Sequence, residues 1–310
     1  MPSPGSTPQP VPVREGTGRV AVPGGEVWYR VAGGGPGTPL LLLHGGPGAT
    51  SHNLEPLAAL GDERPVILYD QLGCGRSDRP DDLALWTVER FVAEVARVRE
   101  ALGLERVILY GHSWGGTLAA EVCLSGAPGI AGLVLASPLL DARRWLADCD
   151  RLRRELPGDV QDALRAHEAA GTTDSTEYEQ ATEVFYRRFV CRSDPWPEPM
   201  LASLAGFGTA CYRHMWGPSE FHPTGPLRRC DLAPRLPELD RPVLFTVGRF
   251  DEATPETVAS FRDRVPGAGL VVMERSAHMT MLDEPEGYVA ALRPFLRRVD
   301  ARRPAPDAGR

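Results

Sequence analysis

Six short aliphatic runs stand out along the chain: "PLLLLHG", "PVILYDQ", "RVILYGHS", "IAGLVLAS", "PVLFTVGR" and "GLVVMERS". Runs of this length that are apolar at nearly every position predict strands covered on both faces. Ahead of them, "GRVAVPGGEVWYRVAG" predicts two further strands joined by a Pro-Gly-Gly turn. Between the second and third runs Val88, Phe91, Val92, Val95 and Val98 recur at helical spacing, so the order there is strand, helix, strand. The pattern predicts an α/β fold with a mostly parallel sheet flanked by helices, and it places ligands at the carboxyl ends of the strands.

One stretch breaks the alternation. From residue 139 to 235 no strand-like run occurs, and three helical stripes take its place. Trp145, Cys149, Leu152 and Leu156 form the first; Tyr178, Ala181, Phe185 and Phe189 the second; Leu201, Leu204, Phe207, Cys211 and Met215 the third. The expected organisation is a core of residues 19–138 and 236–299 with residues 139–235 inserted as a helical cap. Residues 1–18 and 300–310, rich in Pro, Gly, Ser and charge, are expected as disordered tails.

Composition narrows the functions. A formal charge of -7, from 34 Lys and Arg against 41 Asp and Glu, disfavours nucleic acid, which needs a basic surface, and favours a cationic substrate. The six cysteines contain no C-x-x-C pair, so neither a zinc cluster nor a dithiol motif is indicated, and no metal or cofactor is expected. The start "MPSPGSTPQPVPVREG" has neither an apolar nor a basic leader region. With no stretch of about 18 apolar residues, a cytoplasmic protein without membrane contact is predicted.

The chemistry concentrates where strands end. "RVILYGHSWGGTLAAEVCL" sets Gly-His-Ser-Trp-Gly between a strand and a helix, the context of a nucleophile elbow, with Ser113 raised above the sheet. A serine hydroxyl needs a base and the base an orienting acid; in this fold they follow in the order serine, acid, histidine. His44 and His112 lie inside glycine motifs, and His52, His167, His214 and His222 follow no predicted strand, which leaves His278. The acid should follow "PVLFTVGR", where Asp251 and Glu252 stand side by side; Asp251, shorter and nearer the strand end, is preferred. Asp240 precedes the strand, and Glu256 falls in the first turn of the next helix. For the oxyanion, the N–H of Trp114 is one donor and the loop "HGGPG" offers the other; Pro47 has no N–H, so Gly46 is chosen.

The motifs "HGGPG", "YDQLGCGRS", "GHSWGG", "GRFDEATPE" and "SAHMTMLDEPE", spread over about residues 20–298, resemble the α/β-hydrolase serine peptidases that include proline iminopeptidase and the tricorn-interacting aminopeptidase. The resemblance implies an α/β-hydrolase fold with a cap over the site. It also implies cleavage of an amide after an N-terminal residue with a free amine, in a small peptide or aminoacyl amide. It carries over Ser113, Asp251 and His278 as the triad, and Gly46 and Trp114 as oxyanion donors. In members similar to the tricorn-interacting enzyme, the acid after the triad aspartate and a cap glutamate in "G-P-x-E-F" hold the substrate ammonium. Those positions are Glu252 and, in "MWGPSEF", Glu220. The Trp-rich "W-x-x-W-E" cap stretch of one iminopeptidase branch is missing, which argues against strict selection of proline. The same triad would equally serve removal of an aminoacyl group from a natural-product intermediate, or an esterase, thioesterase or lactonase. A non-catalytic ligand-binding protein of this fold is the remaining alternative.

Overall fold

The computed structural model describes residues 14–302. Eight strands form one sheet: β1 (Gly16–Val22), β2 (Gly25–Ala32), β3 (Leu40–Leu43), β4 (Val66–Tyr69), β5 (Val107–His112), β6 (Ile130–Ala136), β7 (Val243–Gly248) and β8 (Gly269–Met273). Their spatial order is β1-β2-β4-β3-β5-β6-β7-β8, antiparallel through β1, β2 and β4 and parallel from β4 onward. Each aliphatic run is a strand; both faces of β3 to β7 are buried, whereas β8, at the edge of the sheet, is only half-buried up to Met273. Leu41, Leu43, Leu109 and Leu135 point into a core with Phe91 and Val95 of helix α1 (Val88–Ala101) and Leu118 of α2 (Trp114–Leu124). Leu40, Leu42, Ile108 and Val134 point the other way, onto Leu54 and Leu57 of a 3-10 helix at Ser51–Asp62 and onto Tyr288 and Leu292. Full burial of such side chains stabilises by about 1.5–3 kcal/mol each relative to exposure, so the two-sided alternation is what makes the sheet central.

Between β6 and β7 the described chain forms five α-helices: α3 (Ala142–Arg153), α4 (Gly158–Ala170), α5 (Thr176–Phe189), α6 (Glu198–Ala205) and α7 (Thr209–Met215). The first two expected stripes are the buried faces of α3 and α5, with Leu156 just beyond α3. Asp141 and Ser175 cap these two helices by accepting from their first-turn N–H groups. The third stripe is not one helix. The chain breaks at 206–208, and Leu201 and Leu204 are exposed. The break has a tertiary cause: the Gly208 N–H donates to the carbonyl of Gly48 at 2.7 Å, and the carbonyl of Gly206 accepts from Gly75 at 2.9 Å. Helix α4 escaped the pattern because Leu164 is its one fully buried residue.

After β7 come α8 (Pro255–Arg262), then, beyond β8, α9 (Thr280–Asp283) and α10 (Pro285–Ala301). Strand β1 starts at Gly16 and α10 runs to Ala301, so residues 16–18 and 300–301 of the expected tails are structured; 1–13 and 303–310 lie outside the described residues. All six cysteines are free thiols. Among the described residues no helix is long and apolar enough to cross a membrane, and no group of His, Cys, Asp and Glu is arranged to hold a metal ion.

Candidate active site

Strands β5, β6, β7 and β8 are neighbours and parallel, so their carboxyl ends open on one edge of the sheet. Ser113 follows β5 and precedes α2, with φ 56° and ψ -120°. A side chain in this region of backbone space costs about 1–3 kcal/mol and is kept only where the surroundings over-determine it. Here they do: its N–H donates to Ala136 at the end of β6 at 2.9 Å, and its carbonyl accepts from Gly116 at 2.8 Å. The two glycines of the elbow are required by contact. A Cβ on Gly111 would lie 2.1 Å from the carbonyl oxygen of Gly115, and one on Gly115 would lie 2.0 Å from that of Leu43.

Asp251 and His278 meet as the strand order requires. The Nδ1–H of His278 donates to Oδ1 of Asp251 at 2.8 Å, which leaves Nε2 as the proton acceptor. Oδ1 also accepts from the N–H of Ala253 at 2.8 Å, and Oδ2 from the hydroxyl of Ser137 at 2.5 Å. Ser137 went unassigned by sequence reasoning. It directly follows β6, the strand between those that carry Ser113 and Asp251, and it too has positive φ, 47°. The signal was the "AS" closing "IAGLVLAS", readable only once β6 is known to lie between β5 and β7.

The other predicted donors sit at the same edge. Gly46 and Ser113 line one cavity of about 240 Å³, together with His278 and Glu220. Among the described residues the N–H groups of Gly46 and Trp114 donate to no protein acceptor, as an oxyanion site needs. The indole of Trp114 turns inward, donating to Oε1 of Gln71 at 3.0 Å. Gln71 in turn donates through its amide to the carbonyl of His44 at 2.9 Å, and its backbone N–H donates to His44 Nε2 at 2.9 Å. One side chain therefore ties the elbow to the "HGGPG" loop. Burial pushes the His44 imidazole below its ordinary value, in keeping with a neutral ring that accepts at Nε2. The rest of "YDQLGCGRS" is scaffolding. Asp70 accepts from Ser51 and from Arg76; burial alone would raise its pKa, but these Arg76 contacts hold it down to about 2.

The second acid of the adjacent pair is placed differently from the first. Glu252 is fully buried, does not line the cavity, and neither of its oxygens has a hydrogen-bond partner. Its Oε1 lies 3.9 Å from Nε2 of His278. Burial first, then the charges of Glu220 and Asp251, push its pKa well above the ordinary range. Glu220 reaches the cavity from the segment after α7, and its Oε1 accepts from the hydroxyl of Tyr212 at 2.8 Å. Burial raises the Glu220 pKa as well, against the opposing pull of His278 and Tyr212. Trp145 of α3 donates its indole N–H to the carbonyl of Glu220 at 3.0 Å and stands edge-on to the His278 ring at 5.6 Å. It is buried and does not line the cavity, whereas Phe207 does.

A stability prediction follows from Glu252. Above its ordinary pKa of 4.5, the native state keeps a proton that the unfolded chain has released, so stability falls as pH rises through that window. Glu252→Gln removes this slope. It is expected to raise Tm at pH 8 and to raise it much less at pH 5, read by thermal unfolding; an equal gain at both would mean that Glu252 is not held neutral.

A strained serine on an elbow beside a His–Asp pair, at the carboxyl edge of a mostly parallel eight-stranded sheet, defines an α/β-hydrolase. The family model described as alpha/beta hydrolase fold matches residues 38–285. A proline iminopeptidase of Heyndrickxia coagulans is 46% identical over 284 residues, covering 91% of this chain and 99% of that protein. One of Levilactobacillus brevis is 38% identical over 278 residues, covering 87% and 93%. Among solved structures, VinJ superposes with a TM-score of 0.88 at 38% identity, covering 92% of this chain and 99% of its own. The proline iminopeptidase of Mycobacterium smegmatis gives 0.84 at 37%, with the same coverage. The chain belongs to the proline iminopeptidase family of α/β-hydrolase serine peptidases.

Proposed function

We propose that the protein is a serine aminopeptidase that cleaves the amide bond after an N-terminal residue bearing a free amine, in a small peptide or aminoacyl amide. The helical segment 139–235 acts as its cap. Ser113 Oγ attacks the carbonyl while His278 Nε2 takes its proton; the same proton passes to the departing amine, leaving an acyl-enzyme. Water then repeats the sequence and frees the amino acid and the serine. Asp251 holds Nδ1–H and balances the charge on the imidazolium, and the N–H groups of Gly46 and Trp114 receive the developing oxyanion.

One observation carries the aminopeptidase reading: Glu220 lines the cavity with Ser113, Glu252 lies 3.9 Å from His278 Nε2, and neither acid has a Lys or Arg partner among the described residues. An uncompensated carboxylate is costly to bury, and a substrate ammonium, with an ordinary pKa of about 7.7–8.0, supplies the missing cation. Glu220 meets the ammonium directly, and Glu252, protonated in the free protein, releases its proton to solvent and adds its charge once the cation is bound. A neutral acyl group would leave both unmatched, which separates this reading from a plain esterase.

The test compares an aminoacyl anilide with its N-acetylated form. The free amine is expected to be cleaved with a kcat/KM roughly 100-fold higher or more, the scale of an unpaired buried charge. Glu220→Gln should erase most of that preference while costing a plain ester far less. Equal rates on the two anilides would turn the assignment toward ester or thioester chemistry, and equal losses on anilide and ester would make Glu220 a folding residue.

A further inference from the structure

The catalytic cavity does not close at its outer end. Arg213, exposed in the last turn of α7, lines it together with Pro218, and these two residues also line an adjoining cavity of about 280 Å³. The remaining walls of that second space are Gly171, Thr173, His222 and Thr224, with no carboxylate among them. The Arg213 guanidinium has no salt-bridge or hydrogen-bond partner among the described residues, although neighbours on the same stretch do: Tyr212 is tied to Glu220, and Arg228 to the carbonyls of Thr224 and Gly225. The cavity is thus bipolar, lined by the Glu220 carboxylate and by the exposed, unclaimed guanidinium of Arg213.

We propose that Arg213 and the adjoining cavity form the leaving-group subsite, and that this subsite binds the C-terminal carboxylate of a short peptide, a dipeptide first of all. The proposal rests on the aminopeptidase reading. With the substrate ammonium at Glu220 and its carbonyl at Ser113, the carboxylate of a dipeptide lies one residue further out, about 3.3–3.6 Å along an extended chain. A guanidinium pairs such a group with two parallel hydrogen bonds. Leu204 and Phe207, on the walls of the catalytic cavity, offer the second residue's side chain an apolar surface.

The experiment measures kcat/KM for a dipeptide and for the same dipeptide as its C-terminal amide. The wild type is expected to favour the free carboxylate by roughly tenfold, the range of a hydrogen-bonded charge at a partly exposed site. Arg213→Gln should bring the ratio close to one by lowering the dipeptide value, and Arg213→Lys should hold an intermediate ratio, keeping charge without the fork. A wild type that cleaves both at the same rate overturns the subsite and leaves the aminopeptidase standing. So does an Arg213→Gln enzyme that loses the same factor on both substrates. A wild type that cleaves neither while hydrolysing a plain ester overturns both readings.

Discussion

Ser113→Ala is expected to lower kcat on an aminoacyl anilide by about 10⁵- to 10⁶-fold while leaving the protein folded. The other hydroxyls on the cavity, those of Ser203, Thr209, Tyr186 and Tyr212, belong to the helical segment and follow no sheet strand, and Ser137 is fully buried and committed to Oδ2 of Asp251. Alanine keeps the backbone of the elbow, whose position is fixed by the Ser113 N–H to Ala136 bond and by the glycine contacts rather than by the side chain. The loss should therefore fall on kcat with KM close to wild type. Adding His278→Ala should cost little more, because nucleophile and base act as one unit. The residual rate, about 10³–10⁴ over water, would report the Gly46 and Trp114 donors and the amine site alone. Active-site titration with a fluorophosphonate gives the second reading: wild type labelled once at Ser113, variant unlabelled. Labelling of the variant, or a loss of less than about 100-fold, would place the nucleophile elsewhere.

Asp251→Ala is expected to cost about 10⁴-fold in kcat on anilide and ester alike. The carboxylate has several tasks at once, receiving His278 Nδ1–H and the Ala253 N–H on one oxygen and the Ser137 hydroxyl on the other. Without it the imidazole loses both its tautomer and the charge that stabilises its protonated form. Asp251→Asn should be nearly as damaging: with its carbonyl oxygen on His278 and Ala253, its NH₂ faces the Gly248 N–H, and turned the other way it faces the Nδ1–H of His278. Glu252→Gln should behave in the opposite way on an ester without an amine, with a small effect, because nothing in the triad bonds to it. A reversal of that order, with Glu252 essential for ester turnover and Asp251 dispensable, would exchange the roles assigned to the two neighbouring acids.

Much of this was legible in order along the chain. The aliphatic runs gave the strands because burial on both faces leaves no room for polar residues. Ser113, Asp251 and His278 could be chosen because each follows one of those runs, and a parallel sheet brings the ends of β5, β7 and β8 to one edge. The stripes of α3 and α5 were legible for the same reason, since each buries a continuous face.

What stayed hidden depended on partners distant in sequence. The "LASLAGFGTACYRHMW" stretch keeps helical spacing throughout, yet it breaks at 206–208 because its backbone is drawn onto the loops at Gly48 and Gly75. Ser137, Gln71 and Trp145 hold the site together through hydrogen bonds to residues 114, 43 and 75 positions away. Arg213 is one of many surface arginines until two cavities are seen to meet at it. Glu252 shows the division most sharply. Its place beside Asp251 is a fact of sequence, but its burial without a hydrogen-bond partner, next to Glu220 from a separate part of the chain, exists only in the folded molecule. Local pattern determines which faces must be buried and therefore which elements form. Charge, strain and cavity shape are sums over neighbours that the chain assembles from afar, and these only the tertiary structure decides.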